Sequence, residues 1–400
     1  MRVLSNELAA HVGERVTIAG WLHNKRELGS VSFVVVRDRA GLAQVVVDDP
    51  LELAPETVIE LDGTVVAAAQ APGGVELHEP TFRVLAEPVE APPIELRRPE
   101  PKETLPMRLD FAPAALRHPA VRERFRIAAA AVHGFRATLD RLGFIEISTP
   151  KIVAAATESG ANVFSLDYFG QPAFLAQSPQ FYKQTMVGVF ERVYESGHVF
   201  RAEPHDTGRH LAEYTSLDAE LGFIHDHFDV MGVVRDVIAG MMAAVRERTG
   251  AEVADVPAEI PWVHFADTGV DDVDLAPTDE RRLCEEHGEL VFVMGFPMAK
   301  RPFYTHPEPA RPEYSNSFDL LFRGMEIVTG GQRLHRYEDY VAALRGETEP
   351  YAGYLQAFKY GLPPHGGFAL GLERFVAQLV GASNLRETTL FPRDMHRLTP

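Results

Sequence analysis

Three stretches of this chain concentrate residue types that can grip charged ligands. Between residues 199 and 220, Val199-Phe200-Arg201-Ala202-Glu203 leads into a polar loop, Pro204-His205-Asp206-Thr207-Gly208-Arg209-His210. A second run with alternating acids follows, Leu211-Ala212-Glu213-Tyr214-Thr215-Ser216-Leu217-Asp218-Ala219-Glu220. Further on, Gly366-Gly367-Phe368-Ala369-Leu370-Gly371-Leu372-Glu373-Arg374-Phe375 combines glycines, which let a backbone approach a ligand, with an arginine on the opening turn of a helix. Around residue 180, Ser178-Pro179-Gln180-Phe181-Tyr182-Lys183-Gln184 puts Gln180 and Lys183 one turn apart on one helix face. Two acids, Asp319 and Glu326, sit near one another on Asp-Leu-Leu-Phe-Arg-Gly-Met-Glu, and Gly330-Gly331-Gln332-Arg333 adds a guanidinium just beyond. The chemistry these types support is anion binding and charge neutralisation. No Gly-Lys pair occurs, so there is no Walker A loop; no G-x-G-x-x-G follows a strand, and no G-x-S-x-G elbow is present. Any phosphates bound here must be held by arginine side chains.

The elements that position these residues fall into two patterns. The first ~90 residues alternate like half-buried strands at 16–21, 31–36 and 42–47, with further runs at 63–68 and 81–85. About five short strands in so short a span predict a small barrel of the OB type at residues 1–90. Residues 91–106 hold five prolines among many charges and predict a stiff linker over 91–110. Beyond it, Val121, Phe125, Ala128, Val132, Phe135 and Leu139 recur at helical spacing and predict a long helix at about 119–142. Phe144-Ile145-Glu146-Ile147-Ser148-Thr149-Pro150 reads as a strand stopped by proline. Over 111–400, strands at 173–175, 219–224, 290–296, 317–322 and 325–329 mix with helices near 180–189, 228–248 and 373–380. Runs of strands without strict alternation predict an α+β domain, a largely antiparallel sheet flanked by helices.

Composition narrows the function classes. Of 400 residues, 46% are hydrophobic and 24% charged, a globular mix sufficient for a real core. The formal charge of −18 has the wrong sign for a protein that coats nucleic acid, which needs Lys and Arg against phosphate; any nucleic-acid contact must be local. A single cysteine, Cys284, cannot form an internal disulfide, and no C-x-x-C or H-E-x-x-H spacing supports a zinc site. A reducing compartment fits. The opening Met1-Arg2-Val3-Leu4-Ser5-Asn6-Glu7 meets a carboxylate before any apolar run, and no stretch approaches the roughly 20 apolar residues of a membrane span. A cytoplasmic protein away from membranes is expected.

In order and spacing, the segments around 199–220, 366–375 and Pro150 closely resemble motifs 2, 3 and 1 of class II aminoacyl-tRNA synthetases. The N-terminal barrel resembles the anticodon-binding domain of the aspartyl, asparaginyl and lysyl subgroup. The likeness runs to the terminal Phe391-Pro392-Arg393-Asp394-Met395-His396-Arg397-Leu398-Thr399-Pro400 and is strongest to the compact, archaeal-type aspartyl-tRNA synthetases. The resemblance implies that Arg201 grips the α-phosphate of ATP and that His210 and Arg374 take the γ-phosphate. Tyr214 would stack under adenine and Glu203 bond its amino group, with Arg209, Leu211, Glu326 and Gly371 completing the nucleotide site. Asp319 and Glu326 would hold Mg²⁺, with Thr329 adding an oxygen to metal or substrate. Gln180, Lys183, Asp218, Thr329 and Arg333 would bind aspartate, with Glu158 on a gating loop, Thr157-Glu158-Ser159-Gly160. Lys183 and Arg333 suit a side-chain carboxylate and Asp218 an α-ammonium, whereas a neutral amide would gain little from paired cations.

For the anticodon, the resemblance implies that Phe33 stacks on the middle base, Gln44 reads its edge and Arg26 supports it; alternation alone leaves open which face Phe33 takes. Contacts near His23 and Pro72 bear on the third base. The implied partners are L-aspartate, tRNA(Asp) alone or together with tRNA(Asn), and a second copy of the chain paired through the long helix and the Pro150 strand. The readings carried beside aspartate–tRNA ligase are an asparaginyl enzyme, a tRNA-independent aspartate-adenylating paralogue, and a catalytically silent tRNA-binding module. Three departures stand out: Pro204 and Gly208, where a second acid and a bulkier or basic residue are commoner, and Ser159 in place of glycine. The span between motif 2 and Pro302 is also short.

Overall fold

The structure, a computed structural model, describes residues 2–28, 31–48, 51–154 and 163–399. Two compact units divide the chain, Met1–Arg122 and Glu123–Pro400.

In the first unit, β1 (Arg15–Leu28), β2 (Val31–Arg37), β3 (Leu42–Val47), β4 (Val58–Ala67) and β5 (Val75–Ala86) close into a barrel in the order β1-β2-β3-β5-β4. Every pairing is antiparallel except β3 with β5. The alternation in the sequence sets the barrel wall. In β2, Ser32, Val34 and Val36 point inward while Val31, Phe33 and Val35 lie half-buried on the outside. Leu22, Val34, Val45, Ile59 and Leu77 fill the centre. A bulge between Leu22 and Asn24 bends the long β1, so that its first half pairs with β4 and its second with β2.

The proline-rich stretch is more than a spacer. Ile94 and Leu96 bury themselves with Ala115, and α1 (Leu105–Asp110) starts within it, Pro106 occupying a position whose N–H would have no helical partner. After α2 (Ala112–Ala115), Arg117 joins the buried Arg37–Glu56 pair at 3.1 Å. These contacts extend the compact unit past the expected boundary at residue 110, to a point inside α3 (Pro119–Arg141).

The second unit is built on an eight-stranded sheet. Its strands are β6 (Ile145–Glu146), β10 (Arg192–Phe200), β11 (Glu213–Gly222), β12 (Trp262–His264), β13 (Leu290–Met294), β14 (Ser317–Phe322), β15 (Met325–Gln332) and β16 (His365–Gly371). They run in the order β12-β13-β14-β15-β16-β11-β10-β6, antiparallel except for the outermost pair at each edge. A small sheet of β7 (Ile152–Val153), β8 (Ser165–Tyr168) and β9 (Gln171–Leu175) stands beside it. The helices are α4 (Gln180–Phe190), α5 (His227–Thr249), α6 (Pro277–His287), α7 (Tyr337–Ala343), α8 (Ala352–Lys359) and α9 (Leu372–Val380). Among the described residues no helix is long and apolar enough to cross a membrane.

The two-residue period of the strands separates core from site. Leu217, Ala219 and Leu221 of β11, Phe318, Leu320 and Phe322 of β14, and Phe368 and Leu370 of β16 join residues of α3 and α5 in one core. The intervening positions, Ser216, Asp218, Glu220, Asp319, Gly367 and Ala369, therefore face the other way. Two details differ from the sequence expectations. The strand read over 144–150 is only two residues long, because the backbone N–H and hydroxyl of Thr149 bond to the Glu195 carboxylate (3.0 and 2.7 Å) and Pro150 has no N–H to donate. Helices α6, α7 and α8 are additions to the helices expected from the sequence.

Candidate active site

One cavity gathers the whole predicted nucleotide set. Arg201, Glu203, Arg209, His210, Leu211, Tyr214, Glu326, Gly371 and Arg374 all line it, as do Thr329 and Ser216. The end of β10, the loop after it and β11 supply the first six; β15 supplies Glu326 and the start of α9 supplies Arg374. Three basic side chains lie at long range from carboxylates: Arg201 is 3.5 Å from Glu203, His210 3.8 Å from the same residue, and Arg374 3.3 Å from Glu326. Ion pairs this long are weak, and Arg374 also donates to the Glu326 carbonyl at 3.1 Å. Arg209 is the exception, bonded directly to Glu280 of α6. Arg201 lies over the Tyr214 ring, 5.7 Å from its centroid. Burial lowers the pKa of His210, with Glu203 opposing and Arg374 assisting, so the ring is neutral at pH 7.

Behind Ser216 lies a second, dry subsite. Ser216 donates to Asp218 (2.5 Å), and the Lys183 ammonium contacts Asp218 (3.0 Å), Glu220 (3.3 Å) and the Phe368 carbonyl (3.0 Å). Arg333 donates to Glu220 and to the Gly367 carbonyl, each at 3.0 Å. Lys183, Asp218 and Glu220 are at most 1% exposed. Gly367 is obligatory here, because a Cβ would fall 2.1 Å from a Glu220 oxygen. Burial opposes the charge on Glu220, but Arg333 and Lys183 outweigh it and hold the carboxyl below its usual range. Gln180 donates to Gln184 (2.9 Å), which also meets Tyr340, Tyr354 and His365. Burial drops the His365 pKa to about 4, so that ring is a neutral hydrogen-bonding partner.

The predicted Gln180, Lys183, Asp218 and Arg333 are thus brought together, whereas Thr329 faces the nucleotide cavity; Glu158 and its loop lie outside the described residues. Glu220, Gln184, His365 and Tyr354 were missed. The acid alternation Ser216, Asp218, Glu220 in an otherwise apolar strand could have found Glu220; the others rest on contacts across more than 150 residues of chain.

Asp319 is 7% exposed, and burial, aided by Glu326 and opposed by Arg301, pushes its pKa up to about 7. Its Oδ1 is buried and, among the described residues, has no hydrogen-bond partner. Two neighbouring carboxylates, one with an unsatisfied oxygen, suit Mg²⁺, which takes one or two protein carboxylates and fills its shell with phosphate oxygens and water. Among the described residues no three His, Cys, Asp or Glu side chains gather into a metal site.

On the barrel, Phe33 is on the outer face, settling the question its alternation left open. Arg26 is its register partner on β1, and Gln44, opposite Val35 on β3, is held by Glu76 at 2.8 Å. The three therefore share one surface. His23 is 8% exposed, lies 3.1 Å from Arg37 and lines a cavity with residues of the proline-rich stretch, while Pro72 is exposed.

A five-stranded OB barrel and an antiparallel sheet carrying arginines at the ends of β10 and β16 define a class of tRNA-charging enzyme. Residues 104–395 match the family of class II tRNA synthetases (D, K and N), and residues 16–85 match the OB-fold nucleic acid binding domain; the chain belongs to the class II aminoacyl-tRNA synthetases. It is 45% identical to the aspartate–tRNA(Asp/Asn) ligase of Deinococcus radiodurans, covering 100% of this chain and 99% of that one. It is 43% identical to the enzyme of the same name from Thermus thermophilus, covering 100% of both. Among solved structures it resembles the asparaginyl-tRNA synthetase of Pyrococcus horikoshii complexed with asparaginyl-adenylate, at 29% identity, TM-score 0.94 and full coverage of both chains. It also resembles the aspartyl-tRNA synthetase of Entamoeba histolytica, at 26% identity and TM-score 0.84, covering 100% of this chain and 93% of that one.

Proposed function

We propose that this chain is an aspartate–tRNA ligase that charges both tRNA(Asp) and tRNA(Asn). The observation that carries the reading is the buried Lys183–Asp218–Glu220–Arg333 network abutting a cavity that holds Arg201, His210 and Arg374. Its two cations suit a substrate whose side chain is a carboxylate, and relatives that share 45% and 43% of its residues bear the two-tRNA name.

In the first half-reaction an α-carboxylate oxygen of aspartate attacks the α-phosphorus of ATP. The new O–P bond forms as the bond to the bridging oxygen breaks, and pyrophosphate leaves. The nucleophile is already ionised, so no base is needed; alignment and charge neutralisation are what the protein supplies. Arg201 takes the α-phosphate, His210, Arg209 and Arg374 the outer phosphates, and Tyr214 and Glu203 the adenine. Asp218 holds the α-ammonium; Lys183 and Arg333 hold the side-chain carboxylate. Mg²⁺ held by Asp319 and Glu326 would neutralise charge on the phosphates. In the second half-reaction a hydroxyl of the terminal tRNA adenosine attacks the mixed anhydride, and AMP leaves. Phe33, Arg26 and Gln44 receive the anticodon.

Ile145 and Ile152, on either side of Pro150, are each 47% exposed, which supports a homodimer paired there; sedimentation at the mass of one chain would rule it out. A cytoplasmic setting fits the single buried cysteine. The deciding experiment is ATP–pyrophosphate exchange with aspartate and with asparagine, followed by charging of both tRNA transcripts. Exchange with asparagine alone overturns the amino-acid assignment, and an uncharged tRNA(Asn) overturns the two-tRNA reading.

A further inference from the structure

The loop of residues 203–210 brings Glu203, Arg209 and His210 into the nucleotide cavity, but it is irregular backbone between two strands. What ties it down comes from the far end of the chain. Arg386 has a side chain 10% exposed and spreads its guanidinium over both segments. Nη2 donates to Asp206 Oδ1 (2.9 Å), Nη1 to the Thr207 carbonyl (3.1 Å) and Nε to Asp394 Oδ2 (2.5 Å). Asp394 also accepts from the backbone N–H groups of His396 and Arg397, both at 2.8 Å. The backbones are laced as well: Leu385 N–H donates to the Gly208 carbonyl and Ala212 N–H to that of Arg393, both at 2.8 Å. His396 adds a contact of 3.3 Å to Asp206. Leu385 itself lines the nucleotide cavity.

The same packing accounts for Gly208. A Cβ there would meet the Ser383 carbonyl oxygen at 3.1 Å and the Asn384 side chain at 3.5 Å, so a bulkier residue would crowd the tail. An exposed ion pair contributes little, whereas this fork is largely buried and bonds a backbone carbonyl besides its carboxylates, which fixes direction as well as distance.

We propose that Arg386 is a positioning residue for nucleotide binding. It ties the Asp206–Thr207 turn to the C-terminal strap of residues 383–397, so that Arg209 and His210 are already arranged when the triphosphate arrives. The proposal rests on the nucleotide reading of the cavity. Its physical content is preorganisation: a loop ordered beforehand does not charge its ordering entropy to binding.

The test is ATP–pyrophosphate exchange on the full chain, with KM for ATP and for aspartate measured separately in Arg386→Met, Arg386→Lys, Asp206→Ala and the double variant Arg386→Met/Asp206→Ala. His210→Ala serves as the control for the cavity. Arg386→Met should raise KM for ATP about tenfold, the scale of re-ordering one or two side chains. Asp206→Ala should raise it several-fold, the double variant no further than Arg386→Met alone, and Arg386→Lys should recover part of the loss. KM for aspartate should stay within twofold throughout, a split that general loosening of the fold does not produce. Asp206 is half exposed, so its variant carries the test if Arg386→Met does not fold. Unchanged KM for ATP in Arg386→Met and Asp206→Ala while His210→Ala raises it, independent multiplying effects in the double variant, or an equal rise in KM for aspartate each overturn the role of Arg386. No effect of His210→Ala on KM for ATP overturns the nucleotide reading beneath it.

Discussion

Replacing Lys183 with methionine isolates the charge at the heart of the proposed amino-acid subsite while nearly preserving side-chain length. In the native chain the ammonium sits 3.0 Å from Asp218 and 3.3 Å from Glu220, with both carboxylates at most 1% exposed. Without it, Glu220 retains Arg333 at 3.0 Å, while Asp218 loses the ammonium and retains the Ser216 hydroxyl. Breaking a buried pair from one side costs about 3–5 kcal/mol, and at roughly 2–4 °C per kcal/mol for a unit of this size the melting temperature should fall by roughly 6–20 °C. The loss of a desolvated cation from the substrate carboxylate is of the same order, so kcat/KM for aspartate should drop at least about a hundredfold at about 1.4 kcal/mol per decade, with KM for ATP nearly unchanged.

The pH dependence has a definite sign. Burial raises the Glu220 pKa but Arg333 and Lys183 together lower it by more, so its folded pKa is depressed and its favourable contribution is present above the unfolded value of about 4.3 and lost as pH falls through the folded one. Removing Lys183 raises the folded pKa. The gap in melting temperature between wild type and variant should therefore be widest near pH 7.5 and narrow as pH falls toward 4.5, read by differential scanning calorimetry. A variant that melts within 2 °C of wild type at both pH values, or activates aspartate within threefold of it, would refute the buried-charge argument.

Three further perturbations probe other parts of the molecule. Glu373 is pushed up to about 7 by burial, against the bonds it accepts from the Thr215 N–H at 3.0 and 3.2 Å. Its protonated form stabilises the fold fully below the unfolded pKa and the contribution is lost as pH rises through about 7. Glu373→Gln should therefore gain on wild type between pH 5 and pH 8 by on the order of 3 kcal/mol; an equal difference at both pH values contradicts this. His210, its pKa lowered chiefly by burial, should take up a proton when a triphosphate binds, so ATP affinity should strengthen as pH falls from 8 to 6. Titration calorimetry in buffers of different ionisation enthalpy reads the uptake directly, and an enthalpy independent of buffer counts against it. Phe33→Ala should weaken tRNA binding by about 1–3 kcal/mol, the usual value of one base stacked on an aromatic ring, without altering pyrophosphate exchange; equal loss of both would place Phe33 in the barrel's stability instead.

Local pattern and residue type were enough to specify the five-stranded barrel, the long helix α3 and the strands β14 and β15. Each of these depends on short-range rules, the two- and 3.6-residue periods, which the chain carries in its order, whereas the nine residues that share one cavity are named by resemblance to a family and not by spacing. Tertiary structure alone decided that Phe33 faces outward, that the strand before Pro150 gives up its ladder to Glu195, and that the proline-rich stretch belongs with the barrel. It alone joined Lys183 to Glu220 and Arg333, Gln184 to Tyr354 and His365, and Asp206 to Arg386. A buried charge is tolerable only where partners distant in sequence converge to satisfy it, and that convergence is a property of packing, which no local spacing encodes.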